Sequence, residues 1–282
     1  QDSNYLGLTN VKKNSVLKID KKNMLTAENL SIGYQQKKQQ KIIAKGIDFV
    51  IKESTLTGVI GKNGIGKSTL LRTLSKVQKP LEGEIFINQK NSKAYQHKEL
   101  ATTISLVLTE RLPESQLTVF ELIALGRQPY TNWIDSLSKK DFEKIHWAIK
   151  ETSLETLQHN RCSELSDGQM QRVLIARALT QDTEIIILDE PTAHLDMHQT
   201  IAIFELLKKL TSATKKTILI STHEINLATK MCDKLIVLSE KKIYTGTTAE
   251  LIKEKAFENL FSSGVVEFNN TLQQFVINSQ SF

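Results

Sequence analysis

A glycine-rich loop is the first part of the chain whose residue types could hold phosphate groups. It reads Gly61-Lys62-Asn63-Gly64-Ile65-Gly66-Lys67-Ser68 and is followed by Thr69. Glycines in this pattern let backbone N–H groups turn toward phosphate oxygens, the lysine reaches the β- and γ-phosphates, and the hydroxyl ligates Mg²⁺. The loop therefore predicts a nucleoside triphosphate site in which Lys67 and Ser68 have these two roles.

The residues on either side supply the strand and the helix that such a loop requires. Leu56–Ile60 is a short apolar run that predicts a buried strand, and Thr69–Leu74 has helical character. A helix that begins at the phosphates offers them free N–H groups and the positive end of its dipole. This context favours a phosphate site over an ordinary glycine turn.

Two adjacent acids follow a second apolar run. Ile185–Leu188 suits a parallel strand that is covered on both faces, and Asp189 and Glu190 come directly after it. Carboxylates in such a place need partners, so we expect Asp189 to ligate Mg²⁺ and Glu190 to orient or deprotonate the attacking water. Without the phosphate loop, a solvated loop start would be an equally good interpretation.

A second helix start also has the character of an anion site. Leu165–Gln169 reads Leu-Ser-Asp-Gly-Gln and precedes apolar residues at helical spacing. Ser166, Gly168 and Gln169 therefore lie where a helix presents unpaired N–H groups.

These motifs, in this order, resemble those of ABC-type ATPases, and the resemblance extends from about residue 24 to residue 261. It implies an α/β fold: a P-loop NTPase (RecA-like) core with an antiparallel β segment at its start and an inserted helical subdomain. It also implies that Tyr34 stacks on adenine, that Asp196 belongs to the D-loop (193–196), and that His223 is the switch histidine after the apolar strand Ile218–Ile220.

The resemblance completes the set of expected site residues for ATP and Mg²⁺. The predicted catalytic residues are Glu190, His223, Lys67 and Glu110. The predicted nucleotide-binding residues are Tyr34, Gly61, Lys62, Asn63, Gly64, Ile65, Gly66, Lys67, Ser68, Thr69, Ser166, Gly168, Gln169 and Asp196. The predicted Mg²⁺ ligands are Ser68, Glu110 and Asp189.

The resemblance further implies a head-to-tail homodimer. The phosphate loop of one subunit and residues 166–169 of the other would sandwich ATP, and hydrolysis would drive the subunits apart. Groups supplied in trans to a transferring phosphoryl are worth roughly 10³–10⁵ in rate in arginine-finger systems. A monomer is therefore expected to be a poor ATPase.

Two positions depart from the family pattern. Glu110 stands where a glutamine usually contacts Mg²⁺ and the attacking water. Glutamate keeps an oxygen ligand but adds negative charge beside Asp189 and Glu190, which would alter protonation and metal affinity; the alternative is a surface acid in a shifted loop. Asp167 replaces a glycine, and we expect it to face solvent or the partner subunit.

The expected organisation is a lead segment (1–22), an ABC ATPase domain (23–262) with a helical subdomain inserted at about 111–172, and a tail (263–282). A strand pair is expected near Ile85–Ile87 and at Ile104–Leu108, helices between about 119 and 157, and strands alternating with helices from Glu184. Apolar residues in the tail predict a small hairpin packed on the core.

The insertion indicates the subgroup. Residues 117–130 and 195–199 are similar to the ATPases of iron-siderophore, haem and cobalamin importers. Gly126 and Pro129 should end a helix and leave Arg127, Tyr130 and Trp133 on a surface. Alternatively, these residues only cap and pack the inserted helical subdomain, which we call the lobe.

The family analogy also supplies partners for this lobe. With the Glu110 loop, it would receive a cytoplasmic helix of a membrane permease. The subunit would then lie in the cytoplasm at the inner face of the cell membrane, two copies beneath the permease and indirectly linked to a substrate-binding protein.

Composition limits the alternatives. No apolar run approaches the ~18 residues of a membrane span, so the chain is not expected to cross a membrane. The net charge of +6 includes a cluster of lysines in residues 12–38, but aromatic residues do not interleave with them as in a nucleic-acid surface. Cys162 and Cys232 are far apart in the sequence and belong to no metal-binding pattern. His194 and His198 are four residues apart, but we do not expect this pair to bind a metal.

Three hypotheses follow. The first is the ATPase of a metal-chelate importer; the second is an ABC ATPase that acts on nucleic acid or ribosomes; the third is a nucleotide-responsive subunit with little hydrolysis. The chain has one phosphate loop and no sustained heptad run, which disfavours the second.

Overall fold

The computed structural model of the chain describes residues 23–36, 39–108, 116–131, 136–240, 242–258, 260 and 266–277. The strands are β1 (Asn23–Gln36), β2 (Gln39–Lys52), β3 (Leu56–Gly61), β4 (Glu82–Ile87), β5 (Lys90–Asn91), β6 (Ile104–Val107), β7 (Ile185–Asp189), β8 (Thr217–Ser221), β9 (Lys234–Leu238), β10 (Ile243–Gly246), β11 (Val266–Asn269) and β12 (Gln274–Ile277).

The α-helices lie mostly between the strands of the core, as a parallel sheet requires. They are α1 (Lys67–Leu74), α2 (His97–Ala101), α3 (Val119–Ala124), α4 (Lys139–Glu151), α5 (Asp167–Thr180), α6 (Met197–Thr214), α7 (Ile225–Met231) and α8 (Thr248–Lys253). Short 3₁₀ segments lie at Ser92–Ala94, Leu125–Arg127 and Cys162–Glu164. Among the described residues, no helix combines the length and the apolar character that crossing a membrane demands.

The first sheet is the antiparallel segment expected near the start. Its strand order is β2-β1-β4-β5, and β1 and β2 are long strands of 14 residues each. The strand expected near Ile85–Ile87 is β4, which pairs with β1, whereas the strand at Ile104 is β6 of another sheet. The expectation that these two strands form a pair is therefore wrong.

The second sheet carries the site. Its order is β10-β9-β3-β8-β7-β6, and all neighbours in it are parallel except β10 with β9. Strand β8 lies between β3 and β7, with Ser221 opposite Val59 on one side and opposite Asp189 on the other. The carboxyl ends of three strands therefore meet at one edge, where ligands bind in open α/β sheets.

Both faces of the second sheet are covered, which explains the unbroken apolar run in β7. Ile186 and Leu188 point into a core shared with α5 and α6. Ile185 and Ile187 point into a second core shared with α1 and the first sheet. Strands buried on both faces need apolar residues at every position, so the strand ends with its first charged residue at the edge.

The helical region differs from expectation at Arg127. This side chain is not on a surface, because only 3% of the residue is exposed. Its Nε donates to Oδ1 of Asp141 at 2.6 Å, and a terminal nitrogen donates to the carbonyl of Thr180 at 2.9 Å. The ring of Tyr130 lies 3.9 Å from the guanidinium and is itself partly exposed. The packing alternative is therefore correct for Arg127; Trp133 lies outside the described residues.

The tail contains the expected hairpin. β11 pairs with β12 in antiparallel register from Val266↔Ile277 to Asn269↔Gln274. The ring of Phe268 stacks on the buried Phe257 with centroids 4.3 Å apart, which fixes the hairpin to the core. The lead segment with most of the clustered lysines lies outside the described residues, and the domain boundaries stay a prediction.

Asp141 offers a test of the lobe. Its carboxylate forms the ion pair with Arg127 and also accepts the backbone N–H of Ser138, which caps the start of α4. We expect Asp141→Ala to lower the free energy of unfolding by about 3–5 kcal/mol, because it leaves a buried guanidinium unpaired. Chemical denaturation measures this change.

The control is Lys93→Ala, which breaks the exposed pair with Glu84. Exposed pairs contribute about 0–1 kcal/mol, so the two variants should differ clearly. An Asp141→Ala protein as stable as the control would show that the buried pair does not hold the lobe.

A candidate nucleotide site at the carboxyl edge of the parallel sheet

The phosphate loop lies between β3 and α1, in the predicted context. Gly66 caps α1 in a left-handed conformation with φ of +111°. A Cβ atom there would lie 2.4 Å from the side chain of Ile43, so both the backbone angle and the close approach require glycine. The first N–H groups of α1 are left free of intrahelical partners, as in any helix, and can bind an anion.

Lys67 is held at the centre of this loop. It is 4% exposed, and its Nζ donates to the carbonyl oxygens of Gly61 at 3.2 Å and Lys62 at 3.4 Å. Burial lowers the pKa of the Lys67 ammonium, and the carboxylates of Glu190 and Asp189 act in the opposite direction. The ammonium is therefore fixed in position before any phosphate binds.

Asp189 links the loop to the strand edge. One of its carboxylate oxygens, Oδ1, accepts hydrogen bonds from the hydroxyl of Ser68 at 2.9 Å and from that of Ser221 at 2.7 Å. Only 3% of Asp189 is exposed. Paired hydroxyl and carboxylate oxygens are the ligands that Mg²⁺ takes beside water and phosphate oxygens.

Among the described residues, no cluster of three or more His, Cys, Asp or Glu side chains could hold a metal alone. Mg²⁺ in phosphoryl-transfer sites needs only one or two protein ligands. Ser68 and Asp189 therefore fit Mg²⁺ that arrives with a nucleotide. The predicted metal and catalytic role of Glu110 stays a prediction, because that residue lies outside the described ranges.

Glu190 and His223 face each other across the end of the sheet. Nε2 of His223 donates to Oε1 of Glu190 at 2.6 Å, and its Nδ1 lies 3.4 Å from Nζ of Lys67. A neutral imidazole with its proton on Nε2 satisfies both contacts. Glu190 also has a left-handed φ of +48°, an uncommon conformation for a non-glycine residue that recurs at functional sites.

Ser221 is a site residue that sequence reasoning missed. Its hydroxyl donates to Asp189 and accepts the backbone N–H of Glu190 at 2.9 Å. It thus supports both acids, including the unusual backbone of Glu190. The sequence shows only a serine at the end of an apolar strand, and the pairing of β7 with β8 is needed to place it opposite Asp189.

Tyr34 lies beside the start of α1. Its hydroxyl is 3.0 Å from that of Thr69, and 42% of the residue is exposed. The ring borders a cavity of about 660 Å³ whose lining includes Arg72 and Gln40. An exposed ring held next to the phosphate loop is available for stacking on a base.

Ser166 and Gln169 form a capping box at the start of α5. The serine hydroxyl accepts the N–H of Gln169 at 3.3 Å, and the Gln169 side chain accepts the N–H of Ser166 at 3.0 Å. Asp167 is exposed in the first turn, as expected, and an acid there is favoured by the helix dipole. This explains why an aspartate is tolerated at a helix start.

The start of α5 packs on the start of α6. A Cβ atom on Gly168 would lie 2.6 Å from Oε1 of Gln199, so the two helix starts touch. Asp196 caps α6 by accepting the N–H of Gln199 at 2.8 Å. The small cavity beside them, of about 200 Å³, is lined by residues of α5, its cap Ser166 and α6.

Comparison with known proteins shows the family. The sequence model described as "ABC transporter" matches residues 44–193. The chain belongs to the ABC transporter family. It is an ATP-binding subunit with the ATPase fold of that family.

Relatives match most of the chain. The petrobactin import ATP-binding protein FpuD of Bacillus anthracis is 34% identical over 84% of this chain and 86% of its own length. The iron(3+)-hydroxamate import ATP-binding protein FhuC of Bacillus subtilis is 33% identical over 85% of this chain and 88% of its own length. An ATP-binding cassette solved as a dimer in a post-hydrolysis state with ADP and Pi superposes with a TM-score of 0.68, at 30% identity over 79% of this chain and 98% of that one.

We expect Ser221→Ala to impair this ABC ATPase. The change removes the acceptor of the Glu190 N–H and leaves Oδ1 of Asp189 with the Ser68 hydroxyl as its one described donor, and an unsatisfied buried group costs about 1–3 kcal/mol. We expect that cost to fall on the transition state, so that kcat for ATP drops by about 5- to 150-fold. Steady-state turnover measures it.

The matched control is Ser239→Ala. Among the described residues, the Ser239 hydroxyl bonds only to Lys242, in an exposed turn. Its turnover should be unchanged. Wild-type turnover in the Ser221→Ala enzyme would show that the bridge does not support the two acids.

Proposed function

We propose that this ABC ATPase powers the import of a ferric siderophore or a similar metal chelate. The supporting observation is that FpuD and FhuC, whose names describe petrobactin and iron(3+)-hydroxamate import, match this chain over 84% and 85% of its length. Haem and cobalamin remain within the same chelate class. The transported ligand would be bound by other subunits, because the site at the carboxyl edge of the parallel sheet is suited to a nucleotide.

We infer the roles of the site residues from their positions and contacts. Lys67, fixed by loop carbonyls, binds the β- and γ-phosphates, and the N–H groups at the start of α1 bind them from the backbone. Ser68 and Asp189 hold Mg²⁺, which supplies charge neutralisation at the phosphates. Tyr34 stacks on the adenine.

Glu190 is the residue proposed to take the proton from the attacking water. Its carboxylate is 23% exposed at the strand end, so water can reach it. His223 donates to that carboxylate and orients it, and the same imidazole lies beside Lys67. The three side chains are thus positioned as one unit, in which the proton acceptor is held next to the phosphate-binding cation.

We also propose that the working unit is a head-to-tail homodimer. The cavity beside the helix start at Ser166 is lined by residues of α5, its cap and α6, and the described lining includes no residue of the phosphate loop. We therefore assign the free N–H groups of this helix start to phosphates held by a second chain. The similar cassette solved with ADP and Pi is described as dimeric. Asp196 and Gly168 would lie at that dimer contact.

The partner outside the dimer would be a permease in the cell membrane, with the ATPase on its inner face. The experiment is to isolate the permease that co-purifies with the chain and to measure ATP turnover of the chain alone and in the reconstituted complex. Turnover that rises with permease and with ferric chelate uptake supports the proposal. Turnover stimulated instead by DNA or RNA, with strong salt dependence, would contradict it.

Glu190→Gln tests the chemical step. The amide keeps the shape of the side chain and its hydrogen bonding but cannot accept the proton. We expect ATP affinity within about threefold of wild type, turnover lower by about 10²–10⁴-fold as for loss of a general base, and dimer accumulating with ATP in size-exclusion chromatography.

Glu205→Gln on the exposed face of α6 provides the same charge change away from the site. It should hydrolyse ATP normally and elute as wild type does. A Glu190→Gln enzyme with normal turnover would show that another group takes the proton.

A further inference from the structure

The C-terminal hairpin, β11 and β12 (Val266–Ile277), is attached to the helix that follows the switch histidine. Helix α7 begins at Ile225, two residues after His223. The side-chain amide of Asn226 makes two hydrogen bonds with the backbone of Phe275 in β12: Nδ2 donates to its carbonyl at 3.1 Å, and Oδ1 accepts its N–H at 2.7 Å. An amide in this arrangement pairs with the strand as a neighbouring strand would.

Further contacts run along the same helix. Thr229 donates from its hydroxyl to the carbonyl of Gln273 at 3.3 Å, and Lys230 donates to the side chain of Gln274 at 3.1 Å. The hairpin also packs on the buried Phe257, whose ring centroid lies 4.3 Å from that of Phe268 and 5.9 Å from that of Phe275. The hairpin therefore joins α7 to the aromatic cluster that also holds the segment after α8.

The position of α7 matters for His223. The carbonyl of His223 accepts the N–H of Ile225 at 2.9 Å, so the first turn of α7 holds the backbone of the histidine. The His223 side chain is 40% exposed, which means that packing alone does not fix it. A helix of seven residues is not stable by itself, and only Ala228 and Thr229 of α7 are buried.

We propose that the hairpin positions His223 through α7, with Asn226 as the positioning residue between them. The inference rests on the proposed role of His223 in hydrolysis. Docking of β12 fixes the first turn of α7 and so keeps Nε2 of His223 within 2.6 Å of Glu190. Loosening the hairpin lets the histidine leave this position in a fraction of the molecules, and turnover falls by that fraction.

The test compares variants of Asn226 in the full chain. Asn226→Leu keeps the size of the side chain but removes donor and acceptor, and we expect kcat to fall about three- to tenfold with an unchanged Kd for ATP. Asn226→Asp keeps the acceptor only and should give a smaller loss. Lys230→Ala, at the other end of α7, removes one exposed contact and should stay within about twofold of wild type.

A double mutant separates positioning from general damage. If Asn226 acts through His223, Asn226→Leu should lower turnover in the wild-type background and not in His223→Ala. The ring ¹⁵N resonances of His223 should also shift in Asn226→Leu and not in Lys230→Ala.

The outcomes separate the proposed role of His223 from that of Asn226. Wild-type turnover in His223→Ala would remove the proposed role of the histidine and this inference with it. A low turnover in His223→Ala together with wild-type turnover in Asn226→Leu, or equal losses in both backgrounds, would overturn only the role of Asn226 and the hairpin.

Discussion

The parallel pairing of β8 between β3 and β7 is the constraint on which the site depends. Because Ser221 lies opposite Asp189, the end of β8 meets the acids at the end of β7, while its other neighbour, β3, leads into the phosphate loop. The chain supplies these three strands from positions far apart in sequence. A shift of one residue in either pairing would turn Asp189 or Ser221 toward the opposite face of the sheet and dismantle the site.

The polar groups gathered at this edge hold one another in place. Lys67 is satisfied by loop carbonyls and lies 3.8 Å from Glu190, while Asp189 accepts two hydroxyl groups. Charged groups at such depth are costly unless they are paired. A triphosphate would therefore enter a site whose cation and acids are already oriented, and it would compete with Glu190 for the ammonium of Lys67. Preorganisation of this kind lowers the cost of ordering groups at the moment of reaction.

The sequence predicted what is local and missed what depends on tertiary pairing. The phosphate loop, the apolar strand before Asp189 and the start of α5 each follow from a continuous pattern, and the structure has them. The bridge made by Ser221 could not be predicted, because it depends on which strands are neighbours. Arg127 was expected on a surface because a glycine and a proline flank it, yet its partner Asp141 comes from another helix. The bonds of Asn226 to the hairpin likewise join residues 49 positions apart.

The most direct measurement is a crystal structure of the Glu190→Gln protein with ATP and Mg²⁺. We predict two chains related head to tail, with the triphosphate on the phosphate loop of one chain, Mg²⁺ on Ser68 and Asp189, and the γ-phosphate facing Ser166 to Gln169 of the other. ATP bound away from Lys67, or held by a single chain with the start of α5 left in solvent, would contradict it.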